Sequence, residues 1–281
     1  MLAADGIVIP KIGLRTALSK EEYVNLVPTI AGSNRDEVKL WLASAEYFVD
    51  LDYSLLGSIF GVPKVVLTDK KVFNIFNSYR SRAWKIRGVD TPLRSLYKAG
   101  NDNLYAYRYD WDDHRRFIFG DFRELIGAAH ATEIPLLTGN NKLVGDYGFL
   151  LYPKGPSKRF TSKNMMQFWT NFAKTGKPGR STNGIEWLSY NAIQDSSSNY
   201  MILDSKKHLE MSSDNFTFVS LLKDLYKEDA LTDLEKCVVA LQVLTFVGDN
   251  LYDDYINEYP GACDRQTSVK FLKDNASFID Y

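Results

Sequence analysis

The chain holds only three histidines, His114, His130 and His208, and their flanks differ. His130 lies in "GAAHATEIP", among small residues and with Glu133 three positions on. Small neighbours leave room for an imidazole and for something that approaches it. Such a histidine can be a base, a metal ligand, or a buried polar residue with one hydrogen bond. A base of the serine-hydrolase kind needs one ring nitrogen facing the nucleophile and the other held by a buried carboxylate. "NRDE" offers Asp36 and Glu37 as that carboxylate, and chemistry alone does not choose between them. On these features alone, a histidine hydrogen-bonded in a loop is the leading reading. His114 in "WDDHRR" and His208 in "SKKHLE" read as solvated surface residues. The three show no metal-ligand spacing.

The elements around these residues follow from their periodicity. "NLVPTIAGSNRDEVKLWLA" reads as a short apolar strand, Val27–Ile30, then a turn at Gly32, Ser33 and Asn34. Helical spacing begins at Val38, Trp41 and Leu42, which puts Glu37 at a strand-to-helix turn. "NLYAYRYDW" alternates, with Tyr105, Tyr107 and Tyr109 on one face, and reads as an internal strand over 104–110. A base is commonly presented from a loop after a strand, and His130 follows this one. "TSKNMMQFWTNFAKTGKPG" predicts a helix capped at Thr161 or Ser162. Met165, Phe168, Trp169 and Phe172 form its apolar face, and Gly176 stops it. "MILD", Met201–Asp204, reads as a last strand. Residues 46–82 read as helical and connective, and the N-terminus as a short strand ending at Pro10. Thr232 and Glu235 form a capping-box pair before a buried helix that ends at Gly248, with more helix through "DNLYDDYINEY". The division expected is 1–212 as one unit and 213–281 as a helical extension.

Length and composition bound the rest. The 281 residues suit one large domain or two small ones, with 45% hydrophobic and 25% charged residues. A net charge of −1 gives no reason to expect nucleic acid as a partner. No apolar stretch reaches the ~18 residues of a membrane span. "MLAADGIVIPKIG" does not read as a signal peptide. Cys237 and Cys263 are either two separate buried thiols or one disulfide, and the second reading implies an oxidising compartment.

Four blocks then stand in order: "VPTIAGSNRDE", "LYAYRYDWDD", "GAAHATEIPLLTG" and "MMQFWTNFAKTGKPG…EWLSYN". Together they resemble the C-terminal half of the type-B carboxylesterase family, which includes the cholinesterases. The resemblance implies an α/β fold: the last strands of an α/β-hydrolase sheet, their helices, and a C-terminal helical extension. It implies hydrolysis of small carboxylic esters by a Ser-Glu-His triad, with no metal or organic cofactor. The family's acid falls on Glu37 and its base on His130, while Glu133 is the carboxylate that supports the loop. This sequence departs from the family where glycine usually follows the acid (Val38) and often follows the histidine (Ala131), and where an aromatic usually precedes Gly139 (Thr138).

The family's serine lies in a G-x-S-x-G elbow upstream of the acid, and no such pattern occurs here. "GSIFG" and "GRSTNG" have the wrong spacing. The glycine-rich oxyanion loop is missing too. The expectation is therefore a truncated or split esterase chain, with the missing N-terminal half as a partner. The alternative is a non-catalytic binding or adhesion module on an esterase-like fold, against which the retention of both Glu37 and His130 weighs.

Overall fold

The computed structural model describes residues 4–53, 64–117, 120–141, 145, 148–190, 198–244 and 265–274. Its central sheet has four strands in the order β1-β4-β7-β8. These are β1 (Thr29–Asn34), β4 (Leu104–Tyr109), β7 (Ser198–Leu203) and β8 (Glu210–Asp214). β1 and β7 run parallel to β4 on its two sides, and β8 returns antiparallel along β7. Two small antiparallel pairs lie outside it, β2 (Val49–Asp52) with β3 (Lys64–Leu67), and β5 (Arg116–Phe117) with β6 (Gly120–Asp121).

The helices follow in chain order. α1 is Leu14–Ala17, α2 Lys39–Leu42 and α3 Lys70–Lys85, and a π-helical turn, Ile86–Asp90, leads from α3 into α4, Thr91–Lys98. α5 is Phe122–Leu125, α6 Ile134–Thr138, α7 Gly148–Leu151 and α8 Pro156–Thr175. α9 is Phe218–Tyr226, α10 Asp233–Leu244 and α11 Arg265–Asp274.

Helices cover both faces of the sheet, as a parallel sheet requires. The alternation in β4 shows it directly. Tyr105 and Tyr109 pack with Met165 and Phe168 of α8. Leu104 and Ala106 pack with Val89 of the π turn and Leu93 of α4. A third cluster joins Val38 and Leu42 to Phe73 and Phe76 of α3, Leu221 and Leu225 of α9, and Val238 and Val239 of α10. The α/β class and the internal position of β4 are as the sequence suggested.

Several element expectations are corrected. The first sheet strand is Thr29–Asn34, not Val27–Ile30, so Gly32, Ser33 and Asn34 lie in the strand. Gly32 serves there by lacking a side chain, because a Cβ at that position would lie 2.2 Å from the Tyr107 ring. Residues 46–82 hold the β2–β3 pair as well as a helix. The segment before Pro10 is no strand: the Asp5 carboxylate accepts the N–H groups of Ile7, Val8 and Ile9 and curls the backbone.

The long helix starts at Pro156, whose missing N–H costs nothing at a first turn. Thr161 lies inside it, with its hydroxyl donating to the carbonyls of Ser157 and Asp204. Gly176 ends the helix with a left-handed φ of 73°, as expected. Thr232 and Glu235 make the expected reciprocal cap, at 2.7 and 3.3 Å. The expected helix end at Gly248, the helix beyond it and Cys263 fall outside the described residues. Cys237 is buried on α10 and disulfide-bonded.

Candidate active site

Parallel neighbours β1 and β4 end at the same edge of the sheet, where Asn34 is level with Tyr109. Loops leaving carboxyl ends of parallel strands share that edge, the usual place for a site in an open α/β sheet. Glu37 lies in the turn after β1. His130 lies in the long connection that follows β4, beyond the β5–β6 pair and α5.

Five hydrogen bonds, four of them to or from the backbone, bring the two segments together. The Asp36 N–H donates to the Ala128 carbonyl, and the Ala128 N–H donates to Asp36 Oδ2, both at 3.0 Å. The Asn34 amide donates to the Ala129 carbonyl at 2.7 Å and to Glu133 Oε2 at 2.6 Å. The His130 N–H donates to the Glu37 carbonyl at 3.2 Å. The Asn34 N–H also donates to Glu37 Oε1 at 2.8 Å, which aims the acid's other oxygen.

That oxygen, Glu37 Oε2, lies 2.8 Å from His130 Nδ1, across 93 residues of sequence. Glu37 is 3% exposed, whereas the His130 side chain is 45% exposed. Among the described residues, His130 Nε2 has no hydrogen-bond partner. Trp41 of α2 and Trp84 of α3 pack beside the imidazole, each ring centroid 5.3 Å from it. A carboxylate accepting from Nδ1–H fixes the tautomer and leaves a lone pair on Nε2, where a proton can be taken up.

The adjacent carboxylates have opposite environments. Burial pushes Glu37 above the ordinary glutamate value, against the pull of the Asn34 N–H and of His130, and the nearby Glu133 adds to the push. Burial also works against the charge on Asp36, but Arg35 and Lys39 beside it outweigh burial and hold it below the ordinary aspartate value. Asp36 Oδ2 accepts from Arg35 at 2.7 Å, and Oδ1 accepts from the Asn77 amide at 2.7 Å. Glu37 is therefore the carboxylate that meets the imidazole, and Asp36 is an anchor of the loop that carries it. Glu133 reaches the same network through Asn34.

The other histidines divide. His208 is exposed, as expected. His114 is not solvated: it is 6% exposed, and carbonyl oxygens face both its ring nitrogens. Its charged flank misled, because Asp112 is turned to Arg35 and Arg123 and leaves the ring to pack on Trp111. Sequence reasoning also missed Asn34, read as a turn residue, and Trp84. The signal for Asn34 was its position three residues before Glu37 in a turn that must close. Among the described residues, no group of three or more His, Cys, Asp or Glu is placed to hold a metal ion. No helix among them is long and apolar enough to cross a membrane.

A family model described as the carboxylesterase family matches residues 83–219, a stretch that includes His130. No curated protein matches the chain. Among solved structures, one PNB esterase is 18% identical, with 79% of this chain and 42% of that one covered at a TM-score of 0.45. Another PNB esterase is 22% identical, covering 75% and 41% at a TM-score of 0.41. A thermophilic PNB esterase is 18% identical, covering 71% and 38% at 0.38. The chain thus spans about two-fifths of the length of these esterases. Residues 83–219 form a partial carboxylesterase-like segment, as the sequence resemblance implied, within a mixed sheet flanked by helices.

Proposed function

We propose that this chain supplies the acid and base of a carboxylic ester hydrolase of the type-B carboxylesterase kind, with Glu37 as acid and His130 as base. The observation that supports the reading is the 2.8 Å contact between Glu37 Oε2 and His130 Nδ1, with Nε2 left open at a partly exposed ring. The nucleophile is a serine from a polypeptide segment other than these 281 residues, in a G-x-S-x-G elbow, and the oxyanion donors come with it.

In that assembly His130 Nε2 takes the serine hydroxyl proton as the oxygen attacks the ester carbonyl. The imidazolium that forms is stabilised by Glu37, which keeps its own charge. Collapse of the tetrahedral intermediate breaks the bond to the alkoxy oxygen, and His130 returns the proton to the leaving alcohol. Water, deprotonated by the same nitrogen, then releases the acid from the acyl-serine.

The test is complementation. The chain alone should hydrolyse a chromogenic ester no faster than free imidazole. Mixed with a separately expressed segment of a related esterase that carries the serine elbow and glycine-rich loop, it should gain turnover. Turnover by the purified chain alone would overturn the assignment of the nucleophile.

A further inference from the structure

His114 is a buried imidazole wedged between two peptide carbonyls. Its Nε2 lies 2.7 Å from the Gly127 oxygen and its Nδ1 2.5 Å from the Leu151 oxygen. The rings of Trp111 and Tyr152 pack edgewise against it, with centroids 5.3 and 6.0 Å away. A carbonyl oxygen only accepts, so each contact is a hydrogen bond only when that nitrogen carries a proton. The neutral ring donates from one of its nitrogens, and the tautomer sets which.

The carbonyl that Nε2 meets matters for the site. Gly127 stands immediately before Ala128, whose N–H and carbonyl both bond to Asp36. Gly127 has a left-handed φ of 54°, and a Cβ there would lie 2.4 Å from Asp36 Oδ2. The peptide is thus pressed onto Asp36 with no side chain to spare, and His130 follows three residues on. The Leu151 carbonyl belongs to α7, and Tyr152 after it donates through its hydroxyl to the Thr132 carbonyl on the far side of His130. His114 therefore ties together segments that flank His130 on both sides in sequence.

We propose that His114 is a positioning residue for His130: seated between the carbonyls of Gly127 and Leu151, it holds the loop so that the His130 ring stays within reach of Glu37. The proposal rests on the reading of His130 as the base. It adds a second anchor to the one that Asp36 provides.

Imidazole nitrogen NMR on the ¹⁵N-labelled chain tests it, since only three histidines contribute signals. In the unmodified protein, His114 should carry a slowly exchanging ring proton. His130 should show one downfield Nδ1 proton. His114→Phe keeps an aromatic ring against Trp111 and Tyr152 but has no donor. In that variant the His130 downfield proton should be lost while the rest of the spectrum stays dispersed. A His114 ring proton that exchanges as fast as that of free imidazole in the unmodified chain would overturn the proposal, and this measurement does not require the variant to fold. An unchanged His130 proton in folded His114→Phe would also overturn it. The underlying reading fails by a different result: no downfield His130 proton in the unmodified chain, or one that survives Glu37→Gln.

Discussion

Asp36 and Ala128 exchange two hydrogen bonds, each 3.0 Å long, and they join the turn after β1 to the loop that carries His130. Asp36 also faces Arg35, Lys39 and Asn77, so one buried carboxylate satisfies several donors at once. Removal of one partner from a buried charge cluster leaves the others uncompensated. Asp36→Ala should therefore destabilise the chain by about 3 kcal/mol. Urea denaturation is the measurement, and a loss below about 0.5 kcal/mol would mean that the cluster is not the anchor described.

The pH dependence of the two neighbours runs in opposite directions. Asp36 has its folded value held below the ordinary 3.8, so its contribution is complete above 3.8 and is lost as pH falls through the lowered value. Glu37 has its folded value raised above the ordinary 4.5, so its contribution is complete below 4.5 and is lost as pH rises through the raised value. At neutral pH the fold thus bears the burial of the Glu37 charge. Glu37→Gln should leave stability at neutral pH equal or higher, even as it removes the carboxylate. Carboxyl ¹³C titration should place Glu37 above 4.5, and a midpoint at or below that value would contradict the environment described.

Ala131, directly after His130, has a φ of 64°, and it is the one non-glycine residue with positive φ among those described. That region costs an L-residue about 1 kcal/mol or more. The family often has glycine at this place, and the structure supplies a reason. Ala131→Gly should raise stability by up to about 1 kcal/mol, once the extra freedom of glycine in the unfolded chain is set against the relief. Thermal unfolding would show a higher midpoint, whereas a lower one would mean that the strain is already relieved. Val38, the other place where the family usually has glycine, carries no such strain: its φ is −96° and it is 1% exposed in the core.

The carboxylate and the imidazole that meet lie in two short motifs, "NRDE" and "GAAHATEIP", but the chemistry of those residues left Asp36 and Glu37 open and favoured a loop histidine; the family resemblance alone singled out Glu37 with His130. Strand β4 was legible from the alternation of its tyrosines. Strand β1 was misplaced because Gly32, Ser33 and Asn34 are turn formers by propensity. Their place in the strand depends on the Tyr107 ring and on pairing with β4, which are tertiary facts. The β2–β3 pair was missed for a similar reason, since two four-residue strands carry little periodicity. His114 looked solvated because a charged flank is usually a wet one. Its burial depends on ion pairs between Asp112 and the distant Arg35, which no local pattern reveals.

The most direct test of the pairing of Glu37 with His130 is ester turnover in the complemented assembly, compared across substitutions. His130→Ala should abolish the serine-dependent rate, a loss on the order of 10⁶ in turnover. Glu37→Gln should cost about 10⁴, because its amide would donate to Nδ1 and move the ring proton to Nε2, the nitrogen that must accept. Asp36→Asn should cost far less in turnover than Glu37→Gln, since Asp36 meets the loop and not the imidazole. Turnover that persists in His130→Ala, or that falls more in Asp36→Asn than in Glu37→Gln, would contradict the account.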